Sequence, residues 1–218
     1  MWNRRQFLRI SGVLAVLPDG LSHGSDANVT LFLGGDVMTG RGIDQVLPRP
    51  SRPELHEEHI RSALDYVALA ERAHGRIPRP VTLPYMWGDL LADLQGRSPD
   101  FRIVNLETSV TTSEEAVPKG INYRMNPANV PCLAAAKIDC CVLANNHVLD
   151  WGAPGLRETL DVLGVAQIAT AGAGRSADDA ARPAVLEKPG KGRVLVFGFG
   201  MPSSGIPGIG RRARPVRE

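Results

Sequence analysis

Cysteine is scarce in this chain, and its few positions exclude more than they offer. There are three in 218 residues, Cys132, Cys140 and Cys141. An odd count, with two adjacent in an apolar segment, makes no disulfide framework, and without a C-x-x-C spacing there is no structural zinc site. They read as buried thiols that pack as small hydrophobes. An excess of one charge is also missing. The net charge is +2, with much of the basic surplus at the two ends, which excludes nucleic acid as a partner. Other signatures are incomplete. "AGAGRS" (171–176) has one Gly-x-Gly, without the third glycine or downstream acid of a dinucleotide fingerprint, and reads as a tight turn. "HEEH" (56–59) lacks the spacing of a zinc helix and reads as a solvated helix start. Ser203 in "SSG" has no companion histidine nearby.

What is present describes a globular protein. Hydrophobic residues make up 43% and charged residues 22%, and the length is sufficient to bury a core. The first 27 residues read as a targeting signal. Arg4 and Arg5 precede Phe7 and Leu8, and the apolar run Ile10 to Leu17 that follows is too short to span a bilayer. This resembles a bacterial twin-arginine export signal, with Ser25-Asp26-Ala27 supplying small residues before a mature start at Asn28. The protein is therefore expected in the periplasm or at the cell surface, touching the membrane only through that signal. Residues 28–207 form the expected domain. Residues 208–218, "GIGRRARPVRE" with four arginines, are expected to be a disordered basic tail.

Between the ends, apolar runs and helical patterns alternate. "VTLFLGGD", "DFRIVNLE", "IDCCVLANN", "QIATAGAG", "PAVLEK" and "GRVLVFGFG" read as strands. "HIRSALDYVALAERAHG", "YMWGDLLADLQGR", "NVPCLAAAK" and "APGLRETLDVLG" read as helices, the last with Pro154 near its start. "TSVTTSEEAVPKGINYRMNP" reads as a long polar connection. The alternation predicts an α/β fold with a largely parallel sheet, whose functional groups gather at the carboxyl ends of the strands.

Three strands end in polar residues: Asp36 in the first, Asn105 and Glu107 in the second, and Asn145, Asn146, His147 and Asp150 in the third. In a parallel sheet all three sets lie along one edge. Two carboxylates, an amide oxygen and an imidazole suit a divalent metal or a metal-activated water. A histidine three residues before an aspartate can have its tautomer set by that carboxylate. Taken singly, each residue also has a plain structural role: Asp36 as a turn or cap residue, the asparagines as a turn, and His147 as a packed loop residue.

Four blocks in order, "LFLGGDVMTGRGIDQ", "IVNLETSVT", "KGINYRMNP" and "VLANNHVLDWGAPGLRETL", resemble the CapA family of capsule-synthesis and poly-γ-glutamate biosynthesis proteins. That family is similar to the calcineurin-like metallophosphoesterases. The resemblance implies a metallophosphoesterase-like layered α/β sandwich and metal-assisted hydrolysis of an anionic substrate, a phosphoester or an anionic polymer. By the same likeness Asp36, Glu107 and Asn146 are metal ligands, His147 is the transition-state acid and Asp150 its orienting partner. The cofactor is then a divalent ion (Mn, Fe, Zn or Mg), and capsule-assembly proteins are partners. The alternative is a non-enzymatic surface accessory protein that binds an anionic polymer or an assembly subunit. Two departures bear on the choice. Met38 stands where the family has a ligating histidine two residues after the aspartate, and no histidine follows His147. The chain is thus expected to be a C-terminally truncated member, silent as an enzyme on its own.

Overall fold

The computed structural model describes residues 28–206. The expected export signal (1–27) and basic tail (208–218) lie outside the described residues. The centre is a four-stranded, all-parallel sheet. It comprises β1 (Leu31–Val37), β2 (Phe101–Leu106), β5 (Cys140–Val142) and β6 (Ala169–Ala171), in the order β1-β2-β5-β6. Two short strands, β3 (Ser109–Val110) and β4 (Arg124–Met125), pair in parallel beside it. A hairpin of β7 (Ala184–Lys188) and β8 (Gly192–Val196) is antiparallel. The expected α/β class with a parallel sheet is what the chain adopts.

The helices form where pattern and caps agree. Helix α1 spans Arg41–Val46 and α2 spans Ala63–His74. Ser62 Oγ caps α2 by accepting from Leu64 N at 3.3 Å, and Gly75 ends it with φ of 86°, a conformation glycine takes without a Cβ penalty. Helix α3 is Leu90–Arg97, α4 is Pro131–Ala135, α5 is Gly152–Val165 and α6 is Ala177–Ala181. On α5 the buried residues Gly155, Thr159 and Leu163 recur every fourth position, the spacing of one helix face. Thr159 Oγ1 accepts from Val110 N at 2.9 Å, tying that face to β3. No described helix is long and apolar enough to cross a membrane.

Several local expectations need correction. "YMWGDLLADLQGR" is not one helix. A 3-10 turn over Leu83–Trp87 stops at Gly88 (φ 52°, ψ −136°), and α3 starts afresh at Leu90. Trp87 sits across the break and donates Nε1 to Cys132 O at 2.7 Å, so tertiary contact overrides the helical period. The polar connection after β2 contains β3 and β4. "HEEH" starts no helix; Glu57 within it is buried and paired with Arg41. The strand in "IDCCVLANN" is only three residues long.

The two faces of the sheet have different fates. Val104, Leu106 and Cys141 face a large core with Val67, Trp87, Leu133 and Leu163. Phe101, Ile103, Cys140 and Ala171 face the hairpin, which covers them with Ala184, Leu186 and Val196. All three cysteines are free and buried. Burial pushes the thiols of Cys132 and Cys140 up to about 12 and Cys141 higher still, which leaves them protonated and inert. At the β1 end the hairpin's cover runs out. Leu31 and Leu33 stand opposite Phe101 and Ile103 in register, yet Leu33 is 69% exposed.

Candidate functional site on the carboxyl edge of the sheet

An irregularity in β1 decides where Asp36 points. Gly34 pairs with Val104, but Asp36, not Gly35, pairs with Asn105. One extra residue, Gly35, is therefore bulged out of the ladder, which shifts the side-chain alternation by one and re-aims the carboxylate. Asn105 Nδ2 donates to Asp36 Oδ1 at 2.6 Å, and Asn145 Nδ2 donates to Asn105 Oδ1 at 3.0 Å. Asn145 also donates to Leu106 O at 2.9 Å and accepts from His147 N at 3.0 Å. A chain of amides thus links the ends of β1, β2 and β5. Asn145 acts as its hub and sets the turn that presents His147.

His147 is buried, its Nδ1 2.7 Å from Asp150 Oδ2 and its Nε2 3.8 Å from Glu107 Oε1. Asp150 is fully buried and highly connected. Its Oδ1 accepts from Lys119 Nζ at 2.6 Å, and its Oδ2 accepts from Tyr123 N at 2.6 Å. Lys119 also donates to Asn146 O at 2.7 Å, which pins the backbone just ahead of His147. The Tyr123 ring stacks on the imidazole with centroids 3.9 Å apart and planes 21° from parallel. A carboxylate at Nδ1 holds the proton there and leaves Nε2 facing Glu107, free for acid or base work.

Asp36, Glu107, Asn146 and His147 therefore lie on the same edge. Asp36 is exposed, whereas Glu107 and Asn146 are half-buried. Partial burial raises the Glu107 carboxyl above its ordinary value, and the neighbouring Asp36 charge raises it further, as two like charges near one site must. Such a pair favours a cation. Among the described residues, however, no group of three or more His, Cys, Asp or Glu side chains gathers around one point. Two carboxylates and an amide oxygen suit a hard divalent ion in kind, and their number fits only a weakly held one. Met38 adds no oxygen; it lines a largely apolar cavity instead.

Lys119, Tyr123, Arg41 and Glu57 escaped the sequence reading. The block "KGINYRMNP" carried the signal for the first two, but a polar connection gives no hint that its lysine and tyrosine fold back onto a strand end more than twenty residues later. The turn after β1 and the 119–126 segment pack backbone to backbone there: a Cβ on Gly40 would sit 3.0 Å from Arg124 N and 3.1 Å from Arg124 O, a close approach that glycine allows without displacing either segment.

A parallel α/β sheet with facing carboxylates and a His–Asp pair on its carboxyl edge is consistent with the metallophosphoesterase-like class. Residues 30–214 match the family of bacterial capsule synthesis proteins, PGA_cap, and the chain belongs to that family. It is 46% identical over 190 residues to a probable polyglutamine synthesis accessory protein of Mycobacterium tuberculosis, covering 86% of this chain and 50% of that one. It is 24% identical over 179 residues to a PGA biosynthesis protein CapA of Bacillus subtilis, covering 80% of this chain and 38% of the relative. With the capsule biosynthesis protein CapA of Bacillus anthracis the identity is 23% over 185 residues, covering 85% and 37%. The chain spans about half the length of the first of these relatives, and less of the others.

Proposed function

We propose that this protein serves exported poly-γ-glutamate or capsule synthesis by acting on an anionic substrate, a phosphoester or the polymer itself, at the carboxyl edge of its sheet. The observation that carries the reading is the Lys119–Asp150–His147 arrangement, which presents Nε2 of a buried imidazole toward Glu107. In this scheme Asp150 fixes the ring through its hydrogen bond to Nδ1. Lys119 holds Asp150 in place, and Tyr123 shields one face of the ring from water. His147 then keeps a proton on Nε2 and hands it to a leaving oxygen. Asp36, Glu107 and Asn146 would hold a divalent ion (Mn, Fe, Zn or Mg), which when bound polarises the substrate oxygen. Periplasmic or surface location and contact with capsule-assembly proteins belong to the same proposal. Fused to a reporter, residues 1–27 should lose export when Arg4 and Arg5 both become lysine.

The test is manganese binding by calorimetry alongside phosphodiester and phosphomonoester turnover. Asp36→Asn should weaken manganese binding about tenfold, a loss of about 1.4 kcal/mol. In a relative that turns over, the counterpart of His147→Asn should slow the reaction by about 10²–10⁴ with the ion retained. Equal loss of the ion in both variants would make His147 a ligand rather than an acid. A second reading is favoured by Met38 and by the two-carboxylate count: binding of an anionic polymer or an assembly subunit without hydrolysis. Tight stoichiometric metal with turnover in this chain would exclude it.

A further inference from the structure

Arg41 is built into the molecule more elaborately than an ordinary surface arginine, and its guanidinium is only partly used. Its Nε donates to Glu57 Oε1 at 2.6 Å, while the other oxygen of Glu57 accepts from Tyr66 OH at 2.6 Å. That arrangement is monodentate. An arginine held for structure alone would commonly meet its carboxylate with both arms of the fork, and here Tyr66 has taken the second carboxylate oxygen. Among the described residues, the two terminal nitrogens of Arg41 have no hydrogen-bond partner. The guanidinium is also fixed against two rings, 4.6 Å from the centroid of Tyr66 and 4.8 Å from that of Tyr123. These contacts hold the planar fork in one orientation and reduce the ordering that a ligand must impose. The backbone at Arg41 is left-handed, with φ of 51°, at a position where glycine would be unstrained and arginine is not.

Arg41 borders a cavity of about 270 Å³ in which, among the described residues, it is the one charged lining residue. Met38, Ile43, Val67, Ile77 and Tyr85 are among the other walls. An apolar cavity with one oriented polar group at its margin fits a ligand with an aliphatic body and one charged end. The Tyr123 ring that contacts Arg41 also stacks on His147, so a group held by the fork lies one ring away from the proposed acid.

We propose that the free edge of Arg41 is a carboxylate subsite for a glutamyl chain. The carboxylate pairs with the two terminal nitrogens, and the chain methylenes lie along the Met38 and Ile43 wall. This rests on the reading of the sheet edge as a site for an anionic polymer, and it adds the residue that recognises one unit of that polymer. The group is a recognition element and takes part in no bond change.

The experiment is calorimetric titration of the whole chain with γ-linked triglutamate in the presence of chelator, with inorganic phosphate as a second probe. Arg41→Gln should weaken triglutamate binding at least tenfold, and Arg41→Lys, which keeps the charge without the fork, should weaken it less. Glu57→Gln leaves Arg41 in place and removes the competing negative charge, so it should tighten binding severalfold even if Arg41→Gln folds poorly. Unchanged affinity in Arg41→Gln or in Glu57→Gln overturns the proposal, and so does Arg41-dependent binding of phosphate without triglutamate. Manganese titrations of the same variants separate this outcome from failure of the functional reading. Lost Arg41 dependence with intact manganese binding breaks the subsite alone. Absent manganese binding with Arg41-dependent triglutamate binding breaks the proposed metal chemistry and leaves the subsite standing.

Discussion

The carboxyl edge of the sheet and the outer face of its β1 side are built on opposite principles. At the edge, the fully buried carboxylate of Asp150 meets a lysine, an imidazole and a backbone amide. On the β1 side, on the hairpin and just after it, apolar groups face outward: Leu33 is 69% exposed, Leu195 55% and Phe199 83%. The difference shows which interactions close locally. A charge network is completed by a few partners at hydrogen-bond distance, whereas apolar burial needs a whole opposing surface. The hairpin provides that surface for Phe101 and Ile103 but not for Leu33.

Removing Asp150 is the severest way to break this contrast. Asp150→Ala leaves Lys119 and His147 facing each other without a counter-charge, and the cost should be about 3–5 kcal/mol, read from urea unfolding. A loss below about 1 kcal/mol would mean that water solvates the edge and the network is not closed.

Asp44 tests a second polar hub, between α1 and the segment before α4. Its Oδ2 accepts from Ser51 N at 2.6 Å, and its Oδ1 accepts from Asn126 N at 2.9 Å and Asn129 Nδ2 at 3.2 Å. Asp44→Asn keeps only one acceptor oxygen, so a buried donor is stranded at a cost of about 1–3 kcal/mol at neutral pH. The pH dependence has a definite sign. Burial raises this carboxyl above its ordinary value of 3.8, and the hydrogen bonds only partly offset the rise. The folded state then binds the proton more tightly than the unfolded state. Its contribution to stability is greatest at acid pH and declines as pH rises from about 3.8 through the raised folded value. Unfolding titrations across that window should show this component in the native chain and its absence in Asp44→Asn. An unchanged slope would refute it.

Asp36→Ala sharpens the comparison by removing one group from the polar edge. The bulged register of β1 against β2 is unchanged, and only the carboxylate that accepts from Asn105 is lost. Manganese affinity should fall about tenfold, or 1.4 kcal/mol, by calorimetry. Retained affinity would show that Asp36 is not part of the cation set. The smallest effect belongs to the open face. Leu33→Thr combined with Leu195→Thr should change stability by no more than about 0.5 kcal/mol per site in urea unfolding. A large loss of stability would show that these side chains are packed after all.

Much of this architecture was legible in the residues. The alternation of apolar runs with helical patterns specified a parallel α/β sheet, because period and element length are local properties. Gly75 marked the end of α2 for the same reason, since capping involves only neighbours in the chain, whereas the helical pattern was read from His59 and the helix begins only after the Ser62 cap. The convergence of Asp36, Glu107 and His147 on one edge followed from parallel topology alone. Other features depended on contacts between distant segments. Whether "YMWGDLLADLQGR" ran as one helix was decided by Trp87 reaching Cys132. The roles of Lys119, Tyr123 and Glu57 arose from loops folded back onto strand ends. The aim of Asp36 turned on a single bulged glycine, whose register against β2 no periodicity reveals. The amino-acid sequence by itself determined most of the strands and helices, the edge that carries the polar groups and the family. Only the tertiary structure decided which of those groups touch, because hydrogen-bond partners twenty to eighty residues apart are chosen by packing and not by local preference.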